Sequence, residues 1–208
     1  MNTVAKRISL ITALMLLLFA VTPVLAQGVA APPESERPKK TFSELLTENN
    51  ISFNFPEGFK EVKVPNTDAL PFSYGMELPN QDFEIWMRIS TQREGEKLLA
   101  DKNVHLSSPD SLYAALAQDQ IPAFTSDKGY LRRRLPGYIL RRYNADAGST
   151  YLLNIDDSKL TKHYKYAFLT VLQKNQAGVV MAICYTNEKG PEFFRTMNMA
   201  ASCLKFKE

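Results

Sequence analysis

Five arginines fall within eleven residues: Arg132, Arg133 and Arg134, then Arg141 and Arg142. Tyr130, Tyr138 and Tyr143 are interleaved with them. A guanidinium presents a planar fork of donors that matches a carboxylate or a phosphate, and tyrosine beside arginine is common at contact surfaces. The chemistry on offer is recognition of an anionic partner, a lipid head group or an acidic glycan. The competing reading is a solvated loop and strand edge whose charge discourages edge-to-edge aggregation. Tyr138 to Tyr143 reads as a strand, which would send Arg141 and Arg142 to opposite faces and split any patch.

Other reactive residue types are scattered. His163 follows Asp156 and Asp157, and His105 follows Asp101, but neither histidine has a second one nearby and there is no Cys-x-x-Cys. A zinc site needs three or four converging ligands, usually at short paired spacings. No Gly-x-Ser-x-Gly is present; Cys184 and His163 could meet across a hairpin as nucleophile and base, or both could be structural. Gly137, Gly148 and Gly178 are isolated, so no glycine-rich phosphate cradle exists. No cofactor is implied, and the expectation is a protein that is not an enzyme.

The start of the chain bounds where this chemistry would operate. Lys6 and Arg7 precede an apolar run from Ile8 to Val21, Pro23 breaks it, and Val24-Leu25-Ala26 has the small-residue pattern of a cleavage site. That order is a secretory signal peptide, too short for a membrane span of about 20 residues. Cleavage after Ala26 is expected, with Gln27 rather than a lipid-accepting cysteine next. The mature protein is then periplasmic or secreted, with no membrane span. Losing Lys6 and Arg7 from the 25 basic residues leaves 23 against 22 acidic ones. A nearly neutral chain has no long-range field to gather nucleic acid.

Residues 27–40 hold Pro32, Pro33 and Pro38 and read as a flexible linker, leaving 41–208 as a single domain. Thr41 and Glu44 fit a capping box opening a short helix. Ile51 to Phe55 alternates as a strand. Phe72–Leu78 and Phe83–Thr91 read as a strand pair, with Phe83, Ile85, Met87 and Ile89 on one face and Glu84, Trp86, Arg88 and Ser90 on the other. Trp86 would cover the sheet beneath a helix. A helix starts at Ser108-Pro109-Asp110, carries Leu112, Tyr113 and Leu116, and ends at Pro122. Asn144 to Gly148 is a turn, and Tyr151 to Ile155 a strand. Lys162–Gln173 and Gly178–Thr186 form the most secure hairpin. Gly190-Pro191 opens a last helix, and Leu204 to Phe206 closes the chain as an edge strand. Clustered strands with hairpin connections predict an α+β fold, a largely antiparallel sheet flanked by helices.

Cys184 and Cys203 could pair in an oxidising compartment. In this arrangement they would fall at opposite ends of the sheet, beyond the Cα separation of about 7 Å that a bridge tolerates. The alternative is two buried thiols acting as small apolar side chains.

The element order, with Ile51-Ser52-Phe53-Asn54-Phe55-Pro56-Glu57-Gly58-Phe59 at its start and strand–helix–strand at its end, resembles exported single-domain proteins of the PsbP/Mog1-like fold from about Ile51 to Phe206. Tyr143 to Gly148, with His163-Tyr164-Lys165-Tyr166 downstream, is similar to envelope proteins of unassigned function that carry an aromatic where this chain has Ala147. The resemblance implies an α/β/α sandwich and an accessory or adaptor role, and supplies no catalytic residues. Three functions follow in order of preference. The first is a non-catalytic envelope adaptor binding a protein partner around Arg132 to Arg142. The second is a carrier or sensor of a small amphipathic ligand held between the sheet and the 109–120 helix. The third is an envelope hydrolase. N-terminal sequencing of the exported product is expected to begin at Gln27; a chain still starting at Met1 would make the segment an anchor.

Overall fold

The computed structural model describes residues 39–108 and 111–208. The expected signal peptide, most of the expected linker, and Pro109 and Asp110 at the expected helix start lie outside the described residues. Lys40–Glu208 forms one compact unit. In chain order its elements are α1 (Phe42–Glu48), β1 (Ile51–Phe53), β2 (Lys60–Glu61), β3 (Tyr74–Glu77), β4 (Glu84–Thr91), α2 (Gln92–Asp101) and α3 (Leu112–Gln120). There follow β5 (Leu131–Arg134), α4 (Gly137–Tyr143), β6 (Ala147–Asn154), β7 (Tyr166–Lys174), β8 (Gly178–Thr186), α5 (Pro191–Ala201) and β9 (Leu204–Phe206).

Seven strands form one sheet in the order β2-β3-β4-β8-β7-β6-β5, and every pairing is antiparallel. The fold is α+β, as the clustered strands predict. The β7–β8 hairpin turns at Asn175–Ala177 with Lys174 opposite Gly178. β9 is not an edge of this sheet; it pairs with β1 in a separate two-stranded ribbon.

Alternation along the central strands sorts the side chains into two cores. One face carries Trp86, Leu153, Leu169, Val171, Met181 and Ile183, packed against Leu99 of α2 and Leu112 and Leu116 of α3. Small residues on α3, including the fully buried Ala117, let that helix lie close. Trp86 is 1% exposed and covers the sheet here, as its face predicts. Its Nε1 donates to Glu84 Oε1 at 2.6 Å, and Lys162 Nζ donates to Glu84 Oε2 at 2.6 Å. A carboxylate this deeply buried is held by those two donors, since an unpaired one would be expelled or protonated. The other face carries Ile85, Met87, Ile89, Leu172, Val180 and Cys184, beneath α1, α5 and the β1–β9 ribbon.

Local chemistry starts the helices. The capping box at Thr41 and Glu44 forms as predicted. A second one, Thr91 with Glu94, starts α2, a helix absent from the sequence reading although the Thr-x-x-Glu spacing marks it. α3 begins at Leu112, later than the expected Ser108. Ser111 makes no side-chain cap, its hydroxyl donating backward to Ser108 O at 2.6 Å. The side chain of Gln173 on β7 accepts from Tyr113 N at 3.0 Å instead, a tertiary substitute for a cap.

Four assignments along the later chain are corrected. Leu131–Arg134 is strand β5, not loop, and Tyr138 to Tyr143 is helix α4, not strand. Pro136 precedes the first turn of α4, and Asn144 ends it in the left-handed conformation at φ 51°. Ile139, Leu140 and Tyr143 share its half-buried stripe, and Arg141 and Arg142 occupy the last turn, where positive charge suits the dipole. A six-residue apolar-basic run fits either period, and these flanks decide it. β6 starts at Ala147, so Gly148 lies in a strand rather than a turn. β7 starts at Tyr166, because Lys162 and His163 adopt positive φ and break the extended chain.

Gly178 shows how tightly the hairpin meets its neighbours. A Cβ there would sit 2.3 Å from Ser90 O and 2.1 Å from Asn49 Oδ1. Ser90 O belongs to the adjoining strand and cannot swing away. Gly178→Ala is expected to cost about 2–3 kcal/mol of unfolding free energy in urea denaturation, the scale of core overpacking; a loss under about 0.5 kcal/mol would show the β4–β8 register to be loose.

Candidate functional site

The second face of the sheet is not filled. A cavity of about 580 Å³ lies between it, α4, α5 and β9. The floor can be read from strand register. Arg133, Thr150, Thr170, Ala182 and Met87 are successive partners across β5, β6, β7, β8 and β4, and all five line the cavity. Beside this row run Phe168, Cys184 and Ile85 on one flank and Leu172 and Val180 on the other. The middle of the first row is short: two threonines and an alanine stand where larger side chains would fill the space, and the hollow follows.

The roof comes from the two later helices. Tyr138, Ile139, Arg142 and Tyr143 line it from α4, a spacing of one helix face. Met197, Ala200 and Ala201 line it from α5. No residue of α4 is fully buried, so the roof rests on partly covered side chains rather than a packed core. Its ends are tied down. Leu135 N donates to Gly148 O at 3.0 Å, and Asn144 Nδ2 donates to Phe206 O at 3.3 Å and Lys207 O at 3.1 Å.

Arginines mark the solvent side. Arg133, Arg134 and Arg142 line the cavity and are exposed, and no acidic residue lines it. Among the described residues, ion pairs and side-chain hydrogen bonds engage other basic groups, such as Lys102 with Asp119 and Lys174 with Asp146, but none of the three cavity arginines. The remaining members of the arginine cluster diverge. Arg132 turns to the opposite sheet face, its guanidinium 5.8 Å from the ring centre of Tyr151. Arg141 is exposed and does not line the cavity. The opposite-faces expectation for Arg141 and Arg142 came from a strand; on a helix it is Arg142 alone that joins Arg133 at one opening.

Inside, the polar groups are held neutral. Burial, then the nearby Cys184, pushes the Tyr143 hydroxyl up to about 12. Burial pushes the Cys203 thiol up to about 12, and burial with Cys203 close by pushes Cys184 higher still. The two cysteines are free thiols in one core cluster and line one cavity, not opposite ends of the sheet. The strand-then-returning-helix picture placed them wrongly because β9 folds back over the sheet face rather than extending its edge.

The other candidate residues stay apart. His163 Nδ1 lies 2.5 Å from Asp157 Oδ1 on the surface, while Cys184 faces the cavity floor. No group of three metal-ligating side chains occurs among the described residues. The expected ligand space between the sheet and α3 is instead close-packed core. The floor residues Thr150, Thr170, Phe168 and Ala182 escaped the sequence reading, because a hollow made by partners on five strands leaves no local signal.

No protein-family model matches the chain, and no curated protein matches it. Among solved structures it is similar to the solution structure of cyanobacterial PsbP (CyanoP) from Synechocystis sp. PCC 6803. Identity is 12%, 77% of this chain and 89% of that chain are covered, and the TM-score is 0.39. No helix among the described residues is long and apolar enough to cross a membrane.

The thiols supply a direct check on the site. A thiol held at about 12 is thiolate in roughly one molecule in ten thousand at pH 8, and only thiolate alkylates readily. Both cysteines are expected to resist iodoacetamide at pH 8 for hours in the native protein and to react within minutes in guanidinium. Rapid native labelling of either would show the cavity floor to be open to water.

Proposed function

We propose that this protein is a non-catalytic binding module that carries or senses a small amphipathic ligand in the cavity beneath α4 and α5. The observation that supports this is an apolar space of about 580 Å³ rimmed by arginines whose side chains, among the described residues, form no ion pair. Small-molecule sites usually occupy about 300–1,000 Å³, with apolar walls and a few polar groups for orientation. Of the sequence-derived readings, ligand carriage thus gains the most, on the face opposite to the one expected. The neutral tyrosine and thiols offer weak polar contacts but no nucleophile or base in a reactive state, which favours holding a molecule over converting it.

A protein-partner role draws on a different surface. β5 is one of the two edge strands of the large sheet, and Leu131, Tyr138, Arg132 and Arg141 are all exposed along it and the adjoining helix. An adaptor of the cell envelope would dock there.

One preparation separates the two. Protein recovered from its native source, with and without cross-linking, is read by native and denaturing mass spectrometry. A ligand-sized mass that is retained natively, lost on denaturation and absent from Ala182→Phe is the expected result. A cross-linked protein partner lost from an Arg132→Glu/Arg141→Glu variant, with no retained small molecule, would replace ligand carriage by the adaptor reading.

A further inference from the structure

The geometry points to the class of ligand: a single alkyl chain ending in an anionic head, its chain over the threonine–alanine row and its head between Arg133 and Arg142. This inference rests on the ligand-binding reading above and adds the charge, the polarity of insertion and the number of chains.

Charge comes first. Arg133 ends the floor row at the sheet edge, and Arg142 stands in the last turn of the roof helix above the same cavity. Arg134 lines it as well. Arg133 and Arg142 bring two positive charges to one opening, Arg134 alternating with Arg133 toward the face of Arg132, and no carboxylate lines the site to offset the mutual repulsion of the two. An anion relieves that repulsion and is matched by the planar donor forks. A cationic or neutral head group would not.

Shape gives the rest. Away from the arginines the wall becomes Phe168, Leu172, Val180, Ile85, Met87 and Met197. The polar end and the apolar end are therefore distinct, and a ligand enters tail first. Flexible methionine side chains at the apolar end suit chains of varying length, because an unbranched thioether adapts its shape. A cavity of about 580 Å³ accommodates one chain of about ten to fourteen carbons, whereas a two-chain phospholipid exceeds it, in keeping with the usual match of site to ligand volume. Carboxylate and phosphate monoester heads share the needed chemistry, so the source of the chain is a matter for measurement.

The probes are decanoate, decyl phosphate, decanol, octanoate and acetate, titrated calorimetrically into the purified protein, with vesicles of an anionic two-chain phospholipid as a separate arm. Decanoate or decyl phosphate is expected to bind at least ten-fold more tightly than decanol, and whichever is tighter identifies the head. Octanoate should bind about ten-fold more weakly than decanoate, the effect of two methylenes, and acetate should not bind measurably. Arg133→Gln/Arg142→Gln should remove the preference over decanol. Raising the salt concentration should narrow the same gap. Ala182→Phe, or the milder Thr170→Leu if the first does not fold, should weaken decanoate and decanol alike.

Equal affinity for decanol and the anions would overturn this inference while leaving an amphipathic-ligand site standing. Unchanged decanoate affinity in the double arginine variant would also overturn it. Binding to vesicles with none to the single-chain probes would move the arginines from a ligand site to a membrane surface. Absence of binding by every probe, together with no retained mass in the native preparation, would sink the ligand-binding reading itself.

Discussion

The register of β4, β8 and β7 is the constraint on which the molecule depends. In a sheet buried on both faces, every second side chain goes to each core, and a slip of one residue would exchange them all. Here the two faces are not interchangeable. Trp86, Ile183 and Leu169 form one cross-strand row that meets α2 and α3 in close packing, while Met87, Ala182 and Thr170 form the neighbouring row on the other face. Large residues fall where helices press closely, and small ones fall where a space remains. Gly178 locks this register from the side, because only a residue without Cβ fits against Ser90 O.

A hollow beside a packed core is costly unless something supports it, since side chains tend to collapse into voids. Two features hold this one open. β9 is withheld from the large sheet by pairing with β1, so α5 and the ribbon arch over the face. Asn144, in the left-handed conformation that stops α4, reaches the end of that ribbon through its side-chain amide. Roof helix, ribbon and floor are thus joined at their ends, by the Asn144 amide and the Leu135–Gly148 backbone hydrogen bond, rather than by side chains crossing the space.

Electrostatics divide the molecule similarly. Glu84 is buried and satisfied by Trp86 and Lys162 on the packed face. Several surface lysines, Lys102 and Lys174 among them, find carboxylates within hydrogen-bond distance. Among the described residues the arginines at the opening do not, although arginine is the better partner for a carboxylate. What sets these arginines apart is their place, positive charge at the mouth of an apolar space that no acidic residue lines.

Much of this was legible from local sequence. Period-two alternation through Phe83–Ile89 placed Trp86 on its correct face, and the turn before Gly178 marked the hairpin, because both signals lie within a few adjacent residues. Thr41 with Glu44 announced a helix start, and Thr91 with Glu94 carried the same signal for α2. The arginine cluster was visible too, but its geometry was not. Whether Tyr138–Tyr143 forms strand or helix depends on Pro136, Asn144 and the contacts of Leu140, and that choice decides which arginines converge. The cavity had no local signature at all. The central row of its floor is one residue from each of five strands, from Met87 through Ala182, Thr170 and Thr150 to Arg133, and its cysteines meet only because β9 folds over the sheet. Short-range patterns follow from backbone geometry and so are written along the chain; a space enclosed by distant residues exists only once tertiary packing has brought them together.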